Sequence, residues 1–223
     1  MKYILLCLLT SNLHGLALTG GELGVTFEPK LNRTFYTGVD FTIFGSVIVD
    51  SCFTARGGAE LGTAGGVLNM DAFAKAEYTF PLKIPLSISF RYVYNALPEY
   101  KTYMQALSPM FALKGRWIGT AIGPVWRFST FKKETIIRES IFAFSLYLNV
   151  YDTAKGRIGF ECANYTDFSS GNMGAYSLKI YSLLRITEGC SFINDVTFYQ
   201  TGSVGFSAQL YGITYRGGIL LTW

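Results

Sequence analysis

Tyr211-Gly-Ile-Thr-Tyr-Arg-Gly-Gly-Ile-Leu-Leu-Thr-Trp223 is the stretch that decides how the chain folds. Every second residue (Tyr211, Ile213, Tyr215, Gly217, Ile219, Leu221, Trp223) falls on one face, and Gly212, Thr214, Arg216, Gly218, Leu220 and Thr222 fall on the other. This is the period of a β-strand, whose successive side chains point to opposite sides. The same alternation recurs upstream. Phe142, Phe144, Leu146, Leu148 and Val150 oppose Ala143, Ser145, Tyr147 and Asn149, and Leu86, Ile88, Phe90 and Tyr92 oppose Ser87, Ser89 and Arg91.

The closing stretch resembles the last strand of bacterial outer-membrane β-barrels, in which an aromatic residue follows alternating apolar ones. On that resemblance Tyr215, Ile219, Leu221 and Trp223 carry the signal read by the barrel-assembly machinery. In overall size the chain is similar to small outer-membrane barrels: OmpW-like proteins, small spirochaetal barrels, and narrow, basic-lumened porins for acidic sugars.

Composition agrees with a chain that meets lipid. Half of the 223 residues are hydrophobic, 16% are aromatic and only 15% are charged, against roughly 25% charged in a typical soluble domain. Past the N-terminus no apolar run approaches the ~18 residues of a membrane-spanning helix. A membrane barrel hides its lipid signal in alternate residues.

Met1-Lys2 and the apolar run Tyr3–Leu9, followed by Gly15-Leu-Ala17, read as a secretory signal peptide. The expected division is residues 1–17 as signal peptide and 18–223 as barrel. Cleavage removes Lys2 and His14, leaving 18 basic and 15 acidic residues and no histidine. Cys7 goes too, and the remaining Cys52, Cys162 and Cys190 are neither a disulfide scaffold nor a metal-ligand pattern.

Turn signals divide the rest into six hairpin units: 20–49, 52–81, 84–114, 115–152, 155–188 and 190–223. The predicted fold is all-β, an antiparallel up-and-down transmembrane β-barrel of about twelve strands, or ten or eight if short segments fuse. An even count brings both ends to one side, as in outer-membrane barrels. Between Arg116 and Ser129 the phase is ambiguous: Trp117 and Trp126 fall on opposite faces unless a bulge intervenes, with Gly123-Pro124 as its natural place. Loops are expected at 29–37, 97–106 and 131–139, carrying Arg33, Tyr36, Tyr100, Lys101, Tyr103, Lys132 and Lys133, and at Phe168–Gly174.

In a membrane barrel the apolar face points to lipid and the polar face to the lumen. Arg56, Lys75, Arg91, Arg157, Lys179, Arg185 and Arg216 are then expected to line the lumen with Glu60, Glu77, Glu161 and Asp195, an excess of three positive charges. These charges either neutralise one another in a plugged barrel or line a narrow passage that favours anions. Tyr78, Tyr92, Tyr94, Tyr211 and Trp223 are expected near strand ends as interfacial girdles.

Catalysis finds little support. Outer-membrane barrel hydrolases and acyltransferases resemble one another in needing a histidine base, and the mature chain has none. Glu60 and Glu77 read as partners of Arg56 and Lys75 rather than as an acid–base pair. The Gly-Gly pairs at 57, 65 and 217 precede no helix. Asn32-Arg-Thr34 and Asn164-Tyr-Thr166 match a glycosylation pattern that means nothing in a bacterial barrel. Basic residues are dispersed, so no nucleic-acid partner is expected. No catalytic residue, metal or cofactor is expected; the partners are outer-membrane lipid, the barrel-assembly machinery and small solutes.

The expectation is therefore a non-enzymatic outer-membrane channel, a porin for passive diffusion of small solutes, anion-preferring. The alternatives are a closed structural or adhesin-like surface barrel, an OmpW-like conduit for small hydrophobic molecules, and a soluble periplasmic barrel holding a lipophilic ligand. The loops are short for an adhesin, which favours transport.

Overall fold

The computed structural model describes residues 20–32, 37–49, 51–64, 67–83, 85–131, 135–168, 175–201 and 209–223. The signal-peptide expectation, Arg33, Tyr36, Lys132, Lys133 and most of the 168–174 loop lie outside them.

Twelve strands form one closed antiparallel barrel. In chain order they are β1 (Gly20–Asn32), β2 (Thr37–Ile48), β3 (Phe53–Ala64), β4 (Val67–Thr79), β5 (Leu86–Leu97), β6 (Thr102–Lys114), β7 (Ile118–Phe131), β8 (Thr135–Thr153), β9 (Gly156–Ala163), β10 (Ala175–Thr187), β11 (Cys190–Thr201) and β12 (Gln209–Thr222). Each pairs with its neighbours in sequence, and β12 pairs with β1 to close the ring. At the seam Leu23 lies opposite Leu221 and Val25 opposite Ile219. Gly21 N–H donates to the Trp223 carbonyl at 3.2 Å, and Trp223 N–H donates back at 3.1 Å. A Cβ on Gly21 would lie 2.5 Å from the Trp223 ring, so only glycine lets the indole cross the strand here. Gly20 and Trp223 share one rim with the short connections 49–52, 80–85, 115–117, 154–155 and 188–189. This is the turn rim; the other is the loop rim.

Side-chain exposure separates the two faces. Phe27, Phe41, Ile43, Leu61, Phe90, Phe111, Phe142, Leu146 and Phe160 are exposed on the outside, with Ile213, Tyr215, Ile219 and Leu221 of the closing strand. Thr26, Thr42, Glu60, Glu77, Arg91, Ser108, Ser145 and Asp195 are buried on the inside. Apolar outside and polar inside is the arrangement of a membrane barrel. Closure satisfies the backbone where hydrocarbon offers no hydrogen bonds.

Three expectations need correction. No bulge occurs at Gly123-Pro124: β6 and β7 keep one register across the gap, with Leu107 opposite Trp126 and Phe111 opposite Ile122. Trp117 belongs to the turn before β7, so it imposes no phase on the strand. The register shifts lie instead at Asn149/Tyr151, Arg185/Thr187 and Tyr199/Gln200. The 97–106 and 131–139 loops are also shorter than expected. A short 3-10 turn (Pro98–Tyr100) leads straight into β6, and β8 already includes Arg138 and Glu139. Charged side chains do not end a strand that has passed beyond the lipid. Finally, Tyr92 sits in mid-strand on the outer face, away from either rim.

Candidate functional site in the barrel lumen

The lumen holds a cavity of 860 Å³ bordered, among the described residues, by side chains from all but one of the twelve strands and by residues of the segment 164–168. Strand register sets its charge pattern. Arg56 of β3 lies opposite Lys75 of β4, and Lys75 lies opposite Arg91 of β5, so three cations stand side by side. Four residues nearer the loop rim, roughly 13 Å along the strands, Glu60 lies opposite Asp71, and Asp71 opposite Asn95. Glu60 accepts a 2.9 Å hydrogen bond from the Thr42 hydroxyl. Next to the cations, Glu77 takes the Lys75 ammonium at 2.7 Å and also pairs with Lys114.

The opposite wall neutralises itself between neighbouring strands. Lys179 of β10 pairs with Glu161 of β9. Arg216 of β12 donates through Nε at 2.8 Å and Nη2 at 2.6 Å to one oxygen of Asp195 on β11.

The segment Asn164–Phe168 folds into the lumen between these walls. It leaves β9, an eight-residue strand that ends well below its nineteen-residue neighbour β8. The Asn164 amide extends the ladder by one rung: Nδ2 donates to the Phe142 carbonyl and Oδ1 accepts from Phe144 N–H, both at 2.8 Å. The Tyr165 ring then lies 4.4 Å from the Arg91 guanidinium, a cation–π contact, and its hydroxyl is 3.4 Å from Ser145 Oγ. The Thr166 carbonyl accepts from Arg91 Nη1. Asp167 meets Arg56 Nη2 at 3.3 Å. Phe168 packs edge-on against Phe73 at 4.9 Å, and its carbonyl accepts from Asn95 Nδ2 at 2.6 Å. Because β9 and β3 are six strands apart in a ring of twelve, the segment leaves one wall and ends against the other.

Asp167 lies outside the spanning strands, and its carboxyl is held at about 2. Burial pushes it up, but the charges of Arg56, Lys75, Arg91 and Lys179 pull it below the ordinary 3.8. Arg91, only 2% exposed, has no carboxylate within ion-pair distance among the described residues. Its Nε and Nη2 have no hydrogen-bond partner there either.

Of the lumenal residues expected from sequence, Arg56, Glu60, Lys75, Arg91, Glu161, Lys179, Asp195 and Arg216 border the cavity. Glu77 is buried behind Lys75 and Lys114. Arg157 and Arg185 do not border it: both are exposed toward the turn rim, and Arg157 is spent on Asp152 at 3.4 Å. The expected partnership of Glu60 with Arg56 is replaced by Asp167 with Arg56, because the inward segment brings a nearer carboxylate. Sequence reading missed Glu28, Asp71, Lys114, Arg127 and Asp167 at the cavity, as well as the inward aromatics Phe44 and Phe73. Alternation within β1, β4 and β7 already places Glu28, Asp71 and Arg127 on the polar face; nothing local signals Asp167.

No protein-family model matches the sequence, and no curated protein does. Solved structures do resemble the barrel. The translocator domain of the autotransporter NalP from Neisseria meningitidis aligns with a TM-score of 0.61 at 11% identity, over 99% of this chain and 94% of that one. The NanC porin aligns at 0.59 and 10%, over 89% and 98%. The KdgM porin in complex with disordered oligogalacturonate aligns at 0.58 and 10%, over 90% and 99%. The fold is that of an outer-membrane β-barrel. At such low identities the likeness extends to the fold alone, and a shared fold does not fix function.

Proposed function

We propose that the chain is an outer-membrane channel for passive diffusion of small solutes, non-enzymatic and anion-preferring. In this reading residues 1–17 are removed on export. The barrel-assembly machinery then inserts the barrel through the closing strand with Tyr215, Ile219, Leu221 and Trp223. The reading rests on a polar, charged cavity enclosed by a barrel whose outside is apolar.

The preference for anions rests on arrangement rather than on a large net charge. Among the described residues, seven basic side chains (Arg56, Lys75, Arg91, Lys114, Arg127, Lys179, Arg216) and six acidic ones (Glu28, Glu60, Asp71, Glu161, Asp167, Asp195) border the cavity, an excess of one and not three. The carboxylates on β9 and β11 are tied to cations of their own wall, whereas Arg91 has no such partner among the described residues. A cation in a narrow, weakly screened passage attracts mobile anions.

Planar-bilayer recordings under a potassium chloride gradient test this. The expected reversal potential lies on the chloride side and moves toward the potassium side in Arg91→Glu. Potassium selectivity of the unaltered protein would remove the anion reading. A folded barrel that conducts nothing would favour the closed, loop-acting alternative, for which the inward segment 164–168 is the supporting observation.

A further inference from the structure

We propose that Arg56 and Arg91, with Lys75 between them, form a binding site for the carboxylate of a small acidic solute, and that the chain's own Asp167 occupies this site as a tethered competitor. The proposal deepens the anion-channel reading and rests on it for its physiological meaning, although binding can be measured without any current.

Strand pairing alone does not favour such a cluster. Like charges directly opposite one another destabilise a sheet, yet Arg56, Lys75 and Arg91 are consecutive across three strands on one face. Lys75 is offset by Glu77. Arg56 and Arg91 receive no carboxylate from a neighbouring strand among the described residues. Arg56 is met by the Asp167 carboxylate at 3.3 Å, and Arg91 by the neutral Thr166 carbonyl, which accepts from it. The site therefore already holds a carboxylate, and that carboxylate belongs to a segment and not to the barrel wall.

Arg91 is the second, independent observation. A guanidinium presents five N–H donors in a fixed fork suited to a carboxylate. Here Nε and Nη2 lack acceptors among the described residues although the side chain is 2% exposed. Leaving buried charged donors unmatched is costly. A solute carboxylate that displaced Thr166 and Asp167 would take their places on Arg91 Nη1 and the Arg56 guanidinium, beside the two unmatched donors. The adjoining cavity of 860 Å³ has room for the rest of a small molecule.

The tether weakens binding without abolishing it. A carboxylate tethered to the barrel by a short connection competes at an effective concentration in the millimolar range. Solutes must therefore reach comparable concentrations to exchange with Asp167, which suits a passage that binds and releases.

Calorimetric titration of the detergent-solubilised barrel with sodium gluconate, with glucose as the neutral control, tests the site. Asp167→Asn should bind gluconate at least tenfold more tightly than the unaltered chain, and Asp167→Glu should bind it as weakly as the unaltered chain does. The double variant Asp167→Asn with Arg91→Gln should lose the gain, and glucose should not bind in any of them. Heat-dependent gel mobility checks folding, with Asp167→Ser standing in should Asp167→Asn not fold. Folded Asp167→Asn or Asp167→Ser that binds gluconate no better than the unaltered chain would overturn the proposal. So would gain that survives Arg91→Gln, or equal binding of glucose. Tight gluconate binding in a barrel that carries no current would keep the site and discard the channel.

Discussion

On the wall formed by β9 to β12, Glu161 faces Lys179 and Asp195 faces Arg216 across adjacent strands, whereas on the wall formed by β3 to β5, Arg56, Lys75 and Arg91 stand in a row. The first wall carries its own counter-charges, so its neutrality is built by the same hydrogen-bond ladder that builds the barrel. The second depends on Asp167, which arrives from the far side of the ring. Charge on the first wall is thus a matter of assembly. On the second it is a matter of whether a five-residue segment is docked.

The largest effect is expected on the self-paired wall. Arg216→Ala leaves Asp195, only 7% exposed, without its cation and should cost the barrel about 4 kcal/mol, as for other charges left buried and unpaired. Urea unfolding in the presence of lipid vesicles measures this, and a loss under about 1 kcal/mol would mean that water or another base replaces Arg216. Next comes the anchor of the inward segment. Phe168→Ala removes the edge-on contact with Phe73 and should weaken docking by about 3 kcal/mol while leaving barrel stability unchanged. Limited proteolysis should then cut near 164–168 in a barrel that still shows heat-dependent gel mobility. If barrel stability falls by the same amount, the segment is part of the wall and the contrast fails.

Smaller still, Lys179→Ala breaks a pair whose side chains are 25% and 26% exposed. Water screens such a pair, so the loss should stay under about 1 kcal/mol in the same unfolding assay. The smallest change is expected with pH. The Asp167 carboxyl is depressed from 3.8 to about 2, so its attraction for Arg56 is fully present above the ordinary value and is lost as pH falls through the lowered one. The conductance difference between the unaltered chain and Asp167→Asn should stay constant from about pH 8 to about pH 4 and vanish only toward pH 2. A difference that closes at neutral pH would show that another group holds the segment.

The self-paired wall was legible in the sequence and the other only in part. Alternation placed Glu161, Lys179, Asp195 and Arg216 on one face, and hairpin pairing of consecutive strands brings each acid beside its base. The same reasoning placed Arg56, Lys75 and Arg91 on the lumen face. It could not supply Asp167, because the contacts of its segment span more than seventy residues, such as Arg91 to Thr166 and Asn95 to Phe168. Asn164-Tyr-Thr-Asp167 has no apolar period to betray a docking surface. It looks like the end of a strand followed by a polar turn. Phe73 was hidden for the opposite reason: a ring on the polar face of β4 breaks the alternation, and only its packing against Phe168 explains it. Gly123-Pro124 misled through local chemistry, since proline often marks a bulge, whereas here Gly123 lies so close to the Pro109 carbonyl that β6 and β7 pass without a shift.

The seam between β1 and β12 also sets an order of events in time. Eleven of the twelve strand pairings join consecutive strands, and the twelfth joins residues as far apart as Glu22 and Thr222. Each doubling of the chain enclosed adds about 0.6 kcal/mol of closure entropy, so this contact costs roughly 2–3 kcal/mol more than a hairpin turn before any rung forms. Hairpins can zip early and from any turn, but the ring can shut only once nearly all of them exist. Until then the growing sheet has two unpaired edges, Gly20–Asn32 and Gln209–Thr222, each the other's only correct partner and each open to a wrong one.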